Sequence, residues 1–116
     1  MVAQQECPSR LFCVYVIDNS DGKDLREYAE YYVETMKDQY RKEVAIDEIV
    51  ETTIAGFTGY RVEYEKPKTG EWQAHIFFMV DGTLLGAAGA CAIDDHEGFE
   101  DIEYIFASLE YLPSYW

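Results

Sequence analysis

The stretch LLGAAGACAI, Leu84 to Ile93, decides how the rest of this chain is read. A leucine pair running through small residues into cysteine has the form of a bacterial lipid-attachment signal, yet such a signal stands near an N-terminus behind a basic start. Here the run follows Asp81-Gly82 deep in the chain and is much shorter than the ~20 apolar residues of a membrane span. Its reason is therefore sought in folding. A strand held between two packed layers meets side chains above and below, so neither of its alternating sets is polar. Gly86, Ala87, Ala88, Gly89 and Ala90 read as small residues that let helices approach the sheet closely. A bulky or charged residue at Ala88 is then expected to cost about 1–3 kcal/mol or more through overpacking or unpaired burial.

Working outward, Asp81-Gly82 is a hairpin signal, because a type I′ turn needs positive φ at both central residues. It joins the opening stretch to EWQAHIFFMV, Glu71 to Val80, in which Trp72, Ala74, Ile76, Phe78 and Val80 share one face. The turn KPKTG, Lys66 to Gly70, precedes that strand. Before it, DEIVETTIAG and GFTGYRVEYEKP read as two strands meeting near Gly56, the second alternating Tyr60, Val62 and Tyr64 against a wet face of Arg61, Glu63 and Glu65. Near the start, RLFCVYVIDN, Arg10 to Asn19, is apolar on both alternating sets and predicts a strand buried on both faces.

Two helices complete the pattern. After the turn signal NSDG, Leu25, Tyr28, Ala29, Tyr32, Val33, Met36 and Tyr40 recur at the spacing of one helix face, predicting a helix from about Asp21 to Val44, capped by Asp21 or Asp24. Phe99, Ile102, Ile105, Phe106 and Leu109 mark a second, capped by Asp94 or Asp95. The order strand, long helix, four antiparallel strands, helix predicts an α+β sandwich: an antiparallel sheet of about five strands with a long helix after the first and a C-terminal helix. One domain over 10–112 is expected, with tails at 1–9 and 113–116, and a chain of 116 residues buries enough surface to fold without staples.

Nine basic against 23 acidic residues give a net charge of −14, which repels phosphate backbones and anionic lipid and excludes a nucleic-acid binder. The same charge suits a solvated surface or a patch for a basic protein partner. Cys7, Cys13 and Cys91 have no zinc spacing, and Cys7 and Cys13 would pair only in an oxidising compartment. MVAQQECPSR shows no export signal, so the chain reads as cytoplasmic, or as exported or lipoprotein-derived if its N-terminus is trimmed.

The succession LREYAEYYVETMKDQY, IAGFTGYRVEYE, EWQAHIFFMVDGTLLGAAGACA and GFEDIEYIFASLEYL resembles the PsbP/Mog1/DcrB-like superfamily. The likeness rests on the long helix with Leu25 and Tyr28-Ala29, on Gly56, Phe57, Gly59 and Tyr60 after Ile54, on the Asp81-Gly82 hairpin, and on Phe99, Ile105 and Ser108-Leu109. It implies an α-β-α sandwich serving as a noncatalytic binding or assembly module, since members act as a photosystem accessory subunit or bind a small GTPase. No functional residue of the family carries over. The family's N-terminal strand or hairpin ahead of Leu11 has no counterpart, which makes a homodimer through that sheet edge an expectation.

The candidate binding residues are Tyr28, Tyr31, Tyr32, Tyr60 and Trp72, whose amphipathic rings suit a groove between helix and sheet and equally the margin of a core. No cofactor motif stands out. The weak metal candidates are Asp94, Asp95 and Glu97 in DDHE, where acids at a helix start are expected for capping alone. An enzyme would instead need Cys91 with His75 or His96, or the Asp94 to Glu97 acids, to converge in one pocket.

Overall fold

The computed structural model describes residues 10–19, 21–40 and 44–110. The expected tails at 1–9 and 113–116 lie outside these residues, and so does Cys7. The elements are β1 (Leu11–Val16), α1 (Leu25–Tyr40), β2 (Ala45–Ile46), β3 (Val50–Ile54), β4 (Phe57–Lys66), β5 (Glu71–Val80), β6 (Thr83–Ala92) and α2 (His96–Ser108). All pairings are antiparallel, in the order β1-β6-β5-β4-β2, with β3 also on β4. The α+β class holds, with six strands rather than five. The extra strand, β2, is two residues long and too short to leave an alternating pattern.

Helix α1 begins with a reciprocal cap: the Glu27 N–H donates to Asp24 Oδ1 at 2.8 Å, and the Asp24 N–H donates to Glu27 Oε1 at 2.9 Å. Two otherwise orphaned donors are satisfied by one pair of side chains. Asp24→Ala is expected to cost about 1 kcal/mol, read as a lower urea midpoint with unchanged slope. Helix α1 spans Leu25–Tyr40, starting after Asp24 rather than at Asp21, and Val44 stands in no helix; residues 41–43 lie outside those described.

Period-two geometry in β5 sorts the core onto two faces. Trp72, Ala74, Ile76 and Phe78 pack with Ile102 and Phe106 of α2, whereas Phe77 points the other way, to Ala29 of α1 and Val62 of β4. Two of the hairpins, β3–β4 and β5–β6, turn through positive φ at two residues, Ala55 and Gly56, then Asp81 and Gly82, as the type I′ reading of Asp81-Gly82 requires.

Strand β6, the glycine-alanine ribbon, is interior, with β1 on one side and β5 on the other. A side chain at Gly89 would collide with Ile102, so close helix approach explains that position. It does not explain Gly86, whose missing side chain is replaced by the ring of Tyr15 from β1. Ala88 is half-buried, beside Cys13 and His75, and the largest penalty for a charge moves to Ala87, which is fully buried on the α2 face.

Two expectations are corrected. Strand β1 is not buried on both faces: among the described residues it is the sheet's edge, and Leu11, Val14 and Val16 are 70%, 50% and 72% exposed. An apolar pattern states which residues gain by burial; the order of strands decides which are covered. The Arg61-Glu63-Glu65 face of β4 is not simply wet either, because α2 reaches over it. There Arg61 lies over the Phe106 ring and is bonded to Glu63 at 2.8 Å and to Glu103.

Candidate functional site

The densest polar constellation among the described residues lies on the α1 face, around His75 at the middle of β5. Antiparallel register places Tyr64 of β4 opposite Gln73, and Ala88 of β6 opposite His75. Because Ala88 is small and Gly86 bare, Tyr15 of β1 reaches across the ribbon, and its hydroxyl lies 3.1 Å from His75 Nδ1. Tyr32 of α1 comes from above, its hydroxyl 3.3 Å from His75 Nε2, which is also 2.9 Å from Gln73 Oε1. The Tyr64 hydroxyl donates to the same Gln73 oxygen at 2.5 Å, and the Gln73 amide donates to Glu71 at 3.0 Å.

One arrangement of protons satisfies the shortest contacts, with the Tyr32 oxygen sharing the Nε2–H at longer range. Gln73 Oε1 can only accept, so His75 carries its proton on Nε2 and donates there, leaving Nδ1 to accept from Tyr15. Burial, followed by the nearby Lys66 ammonium, lowers the His75 pKa to about 4 and keeps the ring neutral. Burial raises Tyr15, Tyr32 and Tyr64 above the ordinary phenol range. The cluster therefore holds its protons through neutral pH and acts as an orienting network that ties β1, α1, β4 and β5 together.

That arrangement sets a pH dependence. His75 binds a proton less readily folded than unfolded, so its contribution is complete above the unfolded value near 6.5 and is lost as pH falls from there to about 4. The loss amounts to roughly 3 kcal/mol at the acid limit, by the conversion of about 1.4 kcal/mol per unit. Urea midpoints of the protein and of His75→Gln, measured between pH 7 and pH 4, are expected to show a shallower slope in the variant.

The sequence-expected binding residues do not form one groove. Tyr28 and Tyr32 pack on Phe77 with ring centroids 5.1 Å apart in each pair. Tyr31 is half-exposed with Lys23 Nζ 4.6 Å above its ring, and Tyr60 carries Arg26 at 5.5 Å. These four share the α1 side. Trp72 is on the other face of the sheet, buried against Phe99 at 4.7 Å, with its indole N–H donating to Glu63 at 3.3 Å. Tyr15 and Gln73 are not among the residues the sequence singles out; the one available signal is Gln73 and His75 standing together on the alternation opposite Trp72.

Cys91 and His75 lie on opposite faces of the sheet, so that thiol and imidazole do not pair, and His96 is engaged edge-on with Phe99 at 5.8 Å. The Cys91 thiol is buried, 3.9 Å from the Asp95 carbonyl oxygen, and burial raises its pKa. Asp95 caps α2 by accepting from the Gly98 N–H at 3.0 Å. Its two oxygens also accept from Arg10 at 2.6 and 2.7 Å, which holds its carboxyl below the usual range. Arg10 reaches Asp101 at 3.1 Å and Glu97 at 3.6 Å as well. Asp95 and Glu97 thus converge with Asp101 on one guanidinium, and among the described residues no group of three or more His, Cys, Asp or Glu is placed to hold a metal.

Comparison with protein-family models and with curated proteins finds no match. Among the described residues no helix is long and apolar enough to cross a membrane.

Proposed function

We propose that this chain is a noncatalytic binding or assembly domain, akin in role to the PsbP/Mog1/DcrB-like proteins it resembles. The observation that carries the reading is the disposition of the reactive groups: Cys91 under α2, His75 among tyrosines on the reverse face, and Asp95 and Glu97 engaged by Arg10. A nucleophile and its base need hydrogen-bond reach, which the sheet denies to Cys91 and His75. Surface features support the binding side of the reading. The apolar rim of β1 offers uncharged contact area, and the exposed Tyr31 beside Tyr28 offers a second, where the net charge of −14 favours a basic protein partner.

Alkylation by iodoacetamide, followed residue by residue by mass spectrometry, tests this. Cys13 is exposed and is expected to react at once, whereas Cys91 is expected to react only as fast as the fold opens. Rapid modification of Cys91 in the folded protein would overturn the noncatalytic reading and favour the small-enzyme alternative. A thermal-shift series with Ca²⁺, Zn²⁺ and basic peptides separates the remaining readings: a peptide is expected to raise the melting temperature, and a rise with either metal alone would favour a divalent-metal-binding domain instead.

A further inference from the structure

We infer that β1 is a self-pairing edge, on which a second copy of this chain adds its own β1 antiparallel about a two-fold axis at Cys13, joining two sheets into one. The inference rests on the binding-or-assembly reading and names the partner.

The phase of the ladder shows what the edge presents. The Ile17 N–H donates to the Leu84 carbonyl at 2.9 Å, in the register that pairs Leu11 with Ala90. Hydrogen-bonded pairs alternate in an antiparallel ladder, so the odd-numbered residues of β1 bond to β6. Phe12, Val14 and Val16 direct their N–H and C=O groups to the outer side, where no described strand pairs with them. The strand carries none of the protections that sequence can write into an edge: LFCVYV contains no charge, proline or glycine. Leu11 is exposed on the α1 side, and Val14 and Val16 on the α2 side.

Charge selects a second copy over a basic peptide. In a chain of net charge −14, β1 is a run of six residues without a carboxylate, so two copies meet there without opposing acids, while a basic segment finds no partner charge along it. Facing residues in antiparallel strands share a side of the sheet, so the two-fold axis passes through a residue pairing with its own copy. An axis at Val14 would set Asp18 opposite Arg10, around which Asp95, Glu97 and Asp101 are already gathered, adding a fourth carboxylate. An axis at Cys13 avoids this. It pairs Leu11 with Tyr15 and Phe12 with Val14 across the junction, and brings the two Cys13 residues together in a non-hydrogen-bonded pair, with Cα atoms about 4.5 Å apart.

Sedimentation equilibrium across micromolar concentrations, with and without a copper–phenanthroline oxidant that joins two thiols into a disulfide, tests the inference. The expected result is a dimer whose oxidised cross-link persists in Cys7→Ser and vanishes in Cys13→Ser. Val14→Pro removes an outward N–H without touching the β1–β6 bonds, and Cys13→Lys opposes two ammonium groups; both variants are expected to sediment as monomers with an unchanged far-ultraviolet dichroism spectrum. A wild-type monomer at every concentration would overturn the inference. So would a dimer indifferent to Val14→Pro, and a dimer that gives no Cys13 cross-link would overturn the axis. None of these results bears on the noncatalytic reading, which stands or falls on the Cys91 alkylation rate.

Discussion

Phe77→Ala is expected to remove about 3–5 kcal/mol of folding free energy, a large share of the 5–15 kcal/mol typical of a domain. The Phe77 ring is fully buried at the centre of the α1 face, with Ala29 and Val62 as its buried neighbours. Tyr28 and Tyr32 of α1 both rest on it, and the His75 ring is stacked 6.1 Å away. Removing the ring loses its transfer free energy and leaves a void that a stiff sheet and a capped helix close only in part. Phe77→Leu, which keeps most of the volume, is expected to cost less than half as much. Guanidinium unfolding followed by circular dichroism reads both, and a loss under about 1 kcal/mol for the alanine variant would show that α1 is not seated on this ring.

The second large effect belongs to the opposite face, where Ile102 of α2 rests on the bare backbone of Gly89. Ile102→Ala is expected to cost about 2–5 kcal/mol, because the side chain is 2% exposed in the main core cluster. Gly89→Ala is expected to destabilise as well, by about 1–3 kcal/mol, since a Cβ there collides with Ile102 Cγ2 and crowds two more of its carbons. The two changes are coupled. In the Ile102→Ala background the collision is gone, and Gly89→Ala is expected to become neutral or favourable, giving a coupling energy of at least about 1 kcal/mol in a double-mutant cycle. Strict additivity would mean that α2 does not press on β6 at this point.

Much of this architecture is legible in local patterns. The apolar stripe Leu25, Tyr28, Ala29, Tyr32, Val33, Met36 and Tyr40 is covered or half-covered along its whole length in α1, and Phe99, Ile102, Ile105, Phe106 and Leu109 behave alike in and beside α2. Asp81-Gly82 turns the β5–β6 hairpin because few other residue pairs accept positive φ twice. Of the candidate site, His75 and the tyrosines of α1 were visible one by one. Their assembly was not, because it needs Tyr15, which arrives from a strand 60 residues away. Trp72 was grouped with the tyrosines by residue type and is separated from them by the parity of β5.

Helices, strands, turns and the α+β class follow from the chain alone, since the 3.6 and 2.0 residue periods are properties of the backbone and are written locally in which side chains are apolar. Long-range pairing settled the rest: β1 at the rim instead of the interior, a tyrosine rather than a helix over Gly86, and Cys91 and His75 on opposite faces. Hydropathy records how much each side chain gains by leaving water, whereas strand order and register choose the neighbour that takes water's place, and that choice is made between residues far apart in the chain.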